Sequence, residues 1–95
     1  MKIDGIVWIP DIVDKLDWKH NVTTTEVENI LFGNTVFRKV QKGHVPGEHL
    51  YAALGQTESS RYLSVFFIYK PTHEALILSA RDMDNKERKF YAKHK

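Results

Sequence analysis

The stretch from Leu63 to Tyr69 constrains the fold most strongly, because Ser64 is the one clearly polar residue in it. A strand with one exposed face alternates apolar and polar residues, whereas a strand that is covered on both faces is apolar throughout. The stretch is also much shorter than the run of about 20 apolar residues that crosses a membrane. We therefore predict that it forms the central strand of a sheet with cover on both faces.

Other segments show the two-residue period and the β-branched and aromatic residues of further strands. These segments are residues 35–40, 49–54 and 75–80, and the central strand itself extends over 61–70. Connections of about four to eight residues favour antiparallel hairpins over crossovers. Residues 3–9 predict a short strand that ends before Pro10. We expect an antiparallel sheet, a meander of about four strands, with a short N-terminal strand in addition.

Three helices are predicted around this sheet. The first covers residues 11–20, in which apolar side chains recur at helical spacing. Each of the other two begins with a capping box, in which a side chain and a glutamate three residues later bind each other's backbone N–H groups. These boxes are at 23–26 and 84–87, and the final helix extends to about residue 93. The order β-α-α-β-β-β-β-α predicts a single α+β domain over residues 1–95.

Composition narrows the classes of function. Cysteine is absent, so the chain offers no disulfide, no cysteine zinc site and no thiol nucleophile. The N-terminal residues do not have the pattern of a signal peptide, and no apolar run has the length of a membrane span. We therefore expect a cytoplasmic protein that does not contact a membrane.

Charge is distributed unevenly, although the net charge is only +2. Residues 1–32 carry 3 basic and 6 acidic groups, whereas residues 33–95 carry 11 basic and 6 acidic groups. A basic excess points weakly to a polyanion such as RNA, but a solvated charged helix surface gives the same pattern. The excess falls on the predicted sheet and final helix, so the acidic helices are expected to form the back of the molecule.

Three groups of motifs extend over most of the chain. The first contains Val7, Trp8, Lys15, Leu16 and the sequence KHNV at 19–22; the second contains GH at 43–44, GE at 47–48 and YAALGQT at 51–57; the third contains SARDM at 79–83 and ERKFY at 87–91, behind the strand FFIYK at 66–70. Together they resemble the BrnT family, the ribonuclease toxins of bacterial and archaeal type II toxin–antitoxin pairs. The resemblance implies a RelE-like fold.

The resemblance also implies a reaction and a partner. Cleavage of RNA without a metal is expected, by attack of the ribose 2′-hydroxyl on its own neighbouring phosphate. This reaction needs a base, an acid and fixed cations around the phosphate, and it requires no cofactor. The implied partner is a BrnA-like antitoxin, in a hetero-oligomer whose contact with DNA is made chiefly by the antitoxin.

His20 and its neighbour Lys19 match the family's lysine–histidine pair. Histidine changes its charge near neutral pH, so His20 is a candidate for catalytic proton transfer and Lys19 for RNA binding. His20 also continues the apolar face of the first predicted helix, and a buried structural histidine is an equally good interpretation of that spacing.

Arg81, Arg88 and Tyr91 are the other candidate catalytic residues. Arg81 lies between the last strand and the final helix, where its planar guanidinium suits a phosphate; a salt bridge to Glu87 is the structural alternative. Arg88 and Tyr91 are three residues apart on one helix face and can act on the same spot. The structural alternatives are that Arg88 is only a solvated charge and that Tyr91 is a residue at the edge of the core. Lys89 is a candidate for RNA binding.

Four further residues are weaker candidates. His44 and Glu48 flank a Pro-Gly turn and form a possible acid–base pair, although polar loops are usually only loops. Arg61 and Lys70 bracket the central strand, where they either face the RNA backbone or are the polar ends expected of a buried strand. A metal site at His44 and His49 is not expected, because their spacing does not direct two imidazoles at one ion.

Two functions from different classes fit these observations. The first is the endoribonuclease toxin, which inhibits translation and growth. The alternative is a non-catalytic module that uses the same scaffold to bind an antitoxin or a nucleic acid. The loss of polar groups at Ile9, Ile12 and Leu16 favours the second. Leu50 and Ser60 also depart from the family pattern.

Overall fold

The computed structural model describes residues 1–41 and 47–95. The elements in chain order are β1 (Gly5–Val7), α1 (Pro10–His20), α2 (Thr24–Phe32), β2 (Val36–Gln41), β3 (Leu50–Gln56), β4 (Tyr62–Tyr69), β5 (Glu74–Asp82) and α3 (Asn85–His94). This order confirms the predicted α+β fold class, with two N-terminal helices and one C-terminal helix. No helix in the described part of the chain is long and apolar enough to cross a membrane.

The strands form one sheet in the order β1-β5-β4-β3-β2. The apolar strand β4 is therefore in the middle, as predicted, and β2 to β5 form an antiparallel meander. β1 pairs in parallel with β5, so the sheet is mixed. The sequence pattern did not specify this pairing. It is possible because the chain between β1 and β5 is long enough to return to the same end of the sheet, which a parallel neighbour requires.

Both predicted capping boxes are present and determine where their helices begin. The hydroxyl of Thr23 accepts from the backbone N–H of Glu26 at 3.1 Å, and the Glu26 carboxylate accepts from the N–H of Thr23 at 3.0 Å. Asp84 and Glu87 exchange the equivalent bonds at 2.8 and 2.9 Å. Each box satisfies two N–H groups that a helix start otherwise leaves without partners. The second box places α3 directly after β5.

The helices cover opposite faces of the sheet. α1 and α2 pack on the face with the larger core, in which Val27, Ile30, Val65 and Phe67 are fully buried. α3 packs on the other face against a smaller cluster of Ala52, Leu54 and Tyr91. Side chains alternate across a strand, so neighbouring residues of β4 and β5 belong to different faces. The acidic helices and the basic final helix are thus on opposite sides, as the charge pattern predicted.

Ser64 occupies the middle of β4 on the α3 side and is completely buried. Its neighbours in the sheet are Leu54 and Arg81. Among the described residues, no group hydrogen-bonds the Ser64 hydroxyl. A buried hydroxyl without a partner loses its bonds to water and gains nothing in exchange.

Replacing Ser64 with alanine is therefore expected to raise the free energy of unfolding by about 1 kcal/mol. Urea denaturation followed by circular dichroism measures this change. Thr57 is the matched control, because its buried hydroxyl accepts from the backbone N–H of Arg61 at 3.1 Å. Thr57→Val keeps the shape but removes that bond and should lower stability. A loss of stability in Ser64→Ala equal to that in Thr57→Val would contradict the assignment.

Candidate nucleic-acid interface

The structure divides the candidate site residues between the two faces of the sheet. Arg81 lines a cleft of about 260 Å³ on the α3 side, together with Phe66 and Glu87. His20 and Lys19 line a different cleft, of about 120 Å³, between α1 and β5. Arg88, Lys89 and Tyr91 are on α3 itself. Arg81, Arg88 and Tyr91 are therefore brought to one side, and the Lys19–His20 pair is not.

Three arginine–aromatic pairs dominate the α3 side. We refer to them together as the arginine–aromatic surface: the guanidinium of Arg38 lies 4.8 Å from the ring centre of Phe90, that of Arg81 lies 5.1 Å from Phe66, and that of Arg88 lies 3.7 Å from Tyr62. A cation above an aromatic ring is attracted by the electron density of its face. Each pairing therefore favours a position of the guanidinium close to its ring.

Strand register explains why Arg38 belongs to this surface. Even-numbered residues of β2 face α3, so Arg38 points to the same side as Val36 and Val40. Its partner across the strand is Ala52, which in turn is opposite Phe66. The small Ala52 side chain between these two larger residues leaves space for a cleft. Sequence reasoning missed Arg38. Its position between Val36 and Val40 on one face of a predicted strand could have indicated a functional arginine.

Arg81 is tied to α3 by a two-pronged ion pair. Its two terminal nitrogens donate to the two carboxylate oxygens of Glu87, at 2.7 and 3.0 Å. The Glu87 side chain is only 13% exposed, so water competes weakly for this pair. The salt bridge named as the structural alternative for Arg81 is therefore present. It attaches the start of α3 to the end of β5 and lowers the availability of Arg81 for phosphate.

Arg38 and Arg88 differ from Arg81 in this respect. Both are exposed, and within residues 1–41 and 47–95 neither has a carboxylate at ion-pairing distance. Their guanidinium groups lie against aromatic rings, which do not accept all of the N–H donors that each group carries. These two arginines supply the accessible cationic donors of the surface.

Tyr91 and the rings around it form the base of this surface. Tyr91 is 6% exposed and meets Tyr62 edge to face, with the ring centres 6.0 Å apart. This burial agrees with the structural interpretation of Tyr91 as a residue at the edge of the core. Sequence reasoning also missed His94, whose ring stacks on Phe90 at 4.0 Å. His94 belongs to none of the sequence motifs. No local pattern in the sequence predicts that it lines a cleft between α3 and the start of β2.

Arg61 forms a network at the opposite end of the sheet from the β4–β5 turn. Its guanidinium donates to Asp82 at 2.8 Å, to Glu26 at 3.2 Å and to the backbone carbonyls of His20 and Asn21 at 3.0 and 2.6 Å. These bonds join the α1–α2 connection to the sheet. The donors of Arg61 are used inside the protein, which favours its interpretation as a structural residue over contact with RNA.

The same network shifts the pKa values of Arg61 and Asp82. The hydrogen bond from Arg61 holds the pKa of Asp82 below its ordinary value, and the charges of Arg61 and His20 lower it further. The hydrogen bond to Asp82 raises the pKa of Arg61 above its ordinary value. His20 is half-buried near this pair, and its carbonyl is one of the acceptors of Arg61. Its position fits a structural histidine.

The remaining candidates are Lys70, Glu48, His44 and Lys89. Lys70 donates to the carboxylate of Glu48, so those two residues form an ion pair with each other. His44 lies outside the described residues, and its pairing with Glu48 stays a prediction. Lys89 is exposed on α3. In residues 1–41 and 47–95, no three histidine or acidic side chains form a group that could hold a metal ion.

Comparison with known proteins adds no relative: neither a scan against family models nor a search of the curated proteins gives a match. The resemblance to the BrnT family therefore depends on the motifs in the sequence. What the structure defines is an α+β protein with an arginine–aromatic surface beside its C-terminal helix.

Proposed function

We propose that this protein is a metal-independent endoribonuclease toxin of a type II toxin–antitoxin system, which inhibits translation and growth and is neutralised by a BrnA-like antitoxin. The arginine–aromatic surface is the observation that carries this proposal. The BrnT-like motifs support it independently, because Arg81, Arg88 and Tyr91 belong to those motifs and all three lie on or beneath that surface.

The chemistry of the surface suits a single strand of RNA. Unpaired bases stack on aromatic rings and on guanidinium planes, and the phosphates between them need fixed cations. Arg38 and Arg88 supply the accessible cations, and Phe66, Phe90 and Tyr62 supply the rings. The nucleophile in the proposed reaction is the ribose 2′-hydroxyl of the substrate. Positioning of the phosphate and stabilisation of its extra negative charge therefore account for much of the expected rate.

A second function, RNA binding without cleavage, is favoured by one specific observation. His20 was the first candidate for proton transfer, but it lines the cleft beneath α1 and not the one beside α3. If catalysis needs His20, the arginine–aromatic surface alone binds RNA and leaves it intact. The protein would then be a nucleic-acid-binding or antitoxin-binding module on the same scaffold.

Incubation of the purified protein with a fluorescent single-stranded RNA, in the presence of a chelator, separates the two functions. The toxin proposal expects cleavage that leaves 2′,3′-cyclic phosphate ends. The control is the same oligonucleotide with deoxyribose at every position, which should bind but stay intact because it has no 2′-hydroxyl. Induced expression in a bacterial host should arrest growth. Binding of RNA without cleavage, together with normal growth, would contradict the toxin proposal and favour the binding module.

A further inference from the structure

We propose that His94 is the base that takes the proton from the ribose 2′-hydroxyl. This inference rests on the function proposed above and adds a catalytic residue that none of the sequence motifs contains. Three observations support it: the hydrogen bond of the imidazole, the position of its ring beside the arginine–aromatic surface, and the residues that line the cleft around it.

The hydrogen bond determines which nitrogen of His94 can accept a proton. Nδ1 lies 2.9 Å from the backbone carbonyl oxygen of Phe90. A carbonyl oxygen only accepts, so the neutral imidazole carries its hydrogen on Nδ1 and has its lone pair on Nε2. A backbone carbonyl thus fixes the tautomer of His94 that acts as a base through Nε2.

Stacking fixes the orientation of the same ring. The rings of His94 and Phe90 are 4.0 Å apart between centres, with an angle of 23° between their planes. The guanidinium of Arg38 is also against the Phe90 ring, at 4.8 Å from its centre. The imidazole and this accessible guanidinium are therefore no further apart than the sum of these two distances. Both groups border Phe90, and the proposal places the phosphate against Arg38 and the ribose against His94.

The surroundings of His94 offer room for that ribose. His94 lines a cleft of about 450 Å³ between α3 and the start of β2, and the other lining residues are Asn34, Thr35, Val36, Tyr91 and Lys95. The charged or titratable groups that line the cleft with His94 are Lys95 and Tyr91, and Arg38 lies against the Phe90 ring on which His94 stacks. Among the described residues, no aspartate or glutamate side chain lines this cleft. The cleft therefore combines a base with the cation of Lys95, and Arg38 lines the neighbouring cleft.

The proposed cleavage needs no reagent other than the RNA, His94 and water. Nε2 of His94 takes the proton of the 2′-hydroxyl as the O2′–phosphorus bond forms and the bond from phosphorus to O5′ breaks. The leaving O5′ takes a proton from water, and the imidazolium of His94 later returns its proton to water. The products are a 2′,3′-cyclic phosphate and a 5′-hydroxyl.

Two other described histidines, His20 and His73, are in different surroundings. His20 is the last residue of α1 and lines the cleft between α1 and β5. His73 is in the turn between β4 and β5, where it pairs with Asp4 at 3.4 Å and stacks on Tyr69. His73 is half-exposed and lies at the end of β5 opposite to the end that leads into α3, so it is a matched control for substitution of an accessible histidine.

The experiment compares wild type, His94→Gln and His73→Gln in cleavage of a short RNA, over a pH range of about 5 to 8, the interval in which histidine usually changes its charge. His94→Gln should lower the cleavage rate by about 100-fold or more, the usual contribution of a general base. Wild type should show a rise of rate with pH, and His94→Gln should abolish it. His73→Gln should keep the wild-type rate and profile. Affinity for a non-cleavable 2′-O-methyl RNA should be similar in all three proteins.

Several results would overturn the proposal, and they differ from those that reject the proposed function. If wild type cleaves RNA and His94→Gln does so at the same rate, His94 is not the base. A wild-type rate that does not change over the pH range gives the same conclusion without any variant, as does an equal loss of rate in His73→Gln. If wild type binds RNA but does not cleave it, the proposed toxin function fails and this inference fails with it.

Discussion

Replacing Arg61 with alanine is expected to lower the free energy of unfolding by about 3 kcal/mol. The side chain is only 23% exposed, and it binds two carboxylates and two backbone carbonyls. Removing it leaves the partly buried Glu26 without its cation. Glu26 also caps α2, so the loss affects the start of that helix as well.

Lys70→Ala is the matched control for this measurement. Lys70 follows the other end of β4 and also forms an ion pair, with Glu48, but its side chain is 36% exposed and has one charged partner. A pair of this kind contributes at most about 1 kcal/mol. Chemical denaturation of both variants should therefore show a much larger shift of the midpoint for Arg61→Ala. Equal small shifts in the two variants would mean that the Arg61 network does not hold the α1–α2 connection to the sheet.

Removal of the two accessible arginines should have the largest effect on RNA binding. The double variant Arg38→Ala/Arg88→Ala is expected to bind a single-stranded RNA about 100-fold more weakly, because each guanidinium contributes a charged hydrogen bond that is worth about 1.5 kcal/mol or more. The slope of log affinity against log salt should fall by about 1.4, since each phosphate contact on a single strand contributes about 0.7. Fluorescence anisotropy at several salt concentrations measures both quantities.

Net charge alone could weaken RNA binding, and a second double variant controls for it. Lys2→Ala/Lys15→Ala removes the same amount of positive charge, but Lys2 precedes β1 and Lys15 is on α1. This control should keep nearly the wild-type affinity and salt slope. If both double variants lose affinity equally, binding follows total charge and not the arginine–aromatic surface.

Much of the fold could be predicted from local signals. The apolar stretch that forms β4 has apolar residues on both faces. A strand of this kind is buried on both sides, so its central position in the sheet could be predicted. Thr23 and Asp84 determine where two helices begin, since the capping bonds are made within four residues of sequence. The parallel partner of β1 could not be predicted in this way. That pairing depends on contacts between residues far apart in the chain, which no local pattern records.

The candidate site was predictable only in part, for the same physical reason. Arg81 and Arg88 were identified because they belong to motifs, but their surroundings come from register and packing. Arg38 is brought close to them because β2 pairs with β3. His94 is brought close to them because α3 packs on the sheet. His20 continues the apolar face of its helix, and in the structure it lines the cleft between α1 and β5 together with Ile12 and Leu16.

The most direct test of the central claim is to map where RNA binds. An NMR titration of the ¹⁵N-labelled protein with a short 2′-O-methyl RNA reports on each backbone amide without cleavage of the ligand. Binding at the arginine–aromatic surface predicts the largest shifts in α3, around Arg38 in β2 and around Phe66 in β4. Residues of α1 should change little. Shifts concentrated in α1 and near His20, with α3 unchanged, would contradict the assignment of the RNA-binding face.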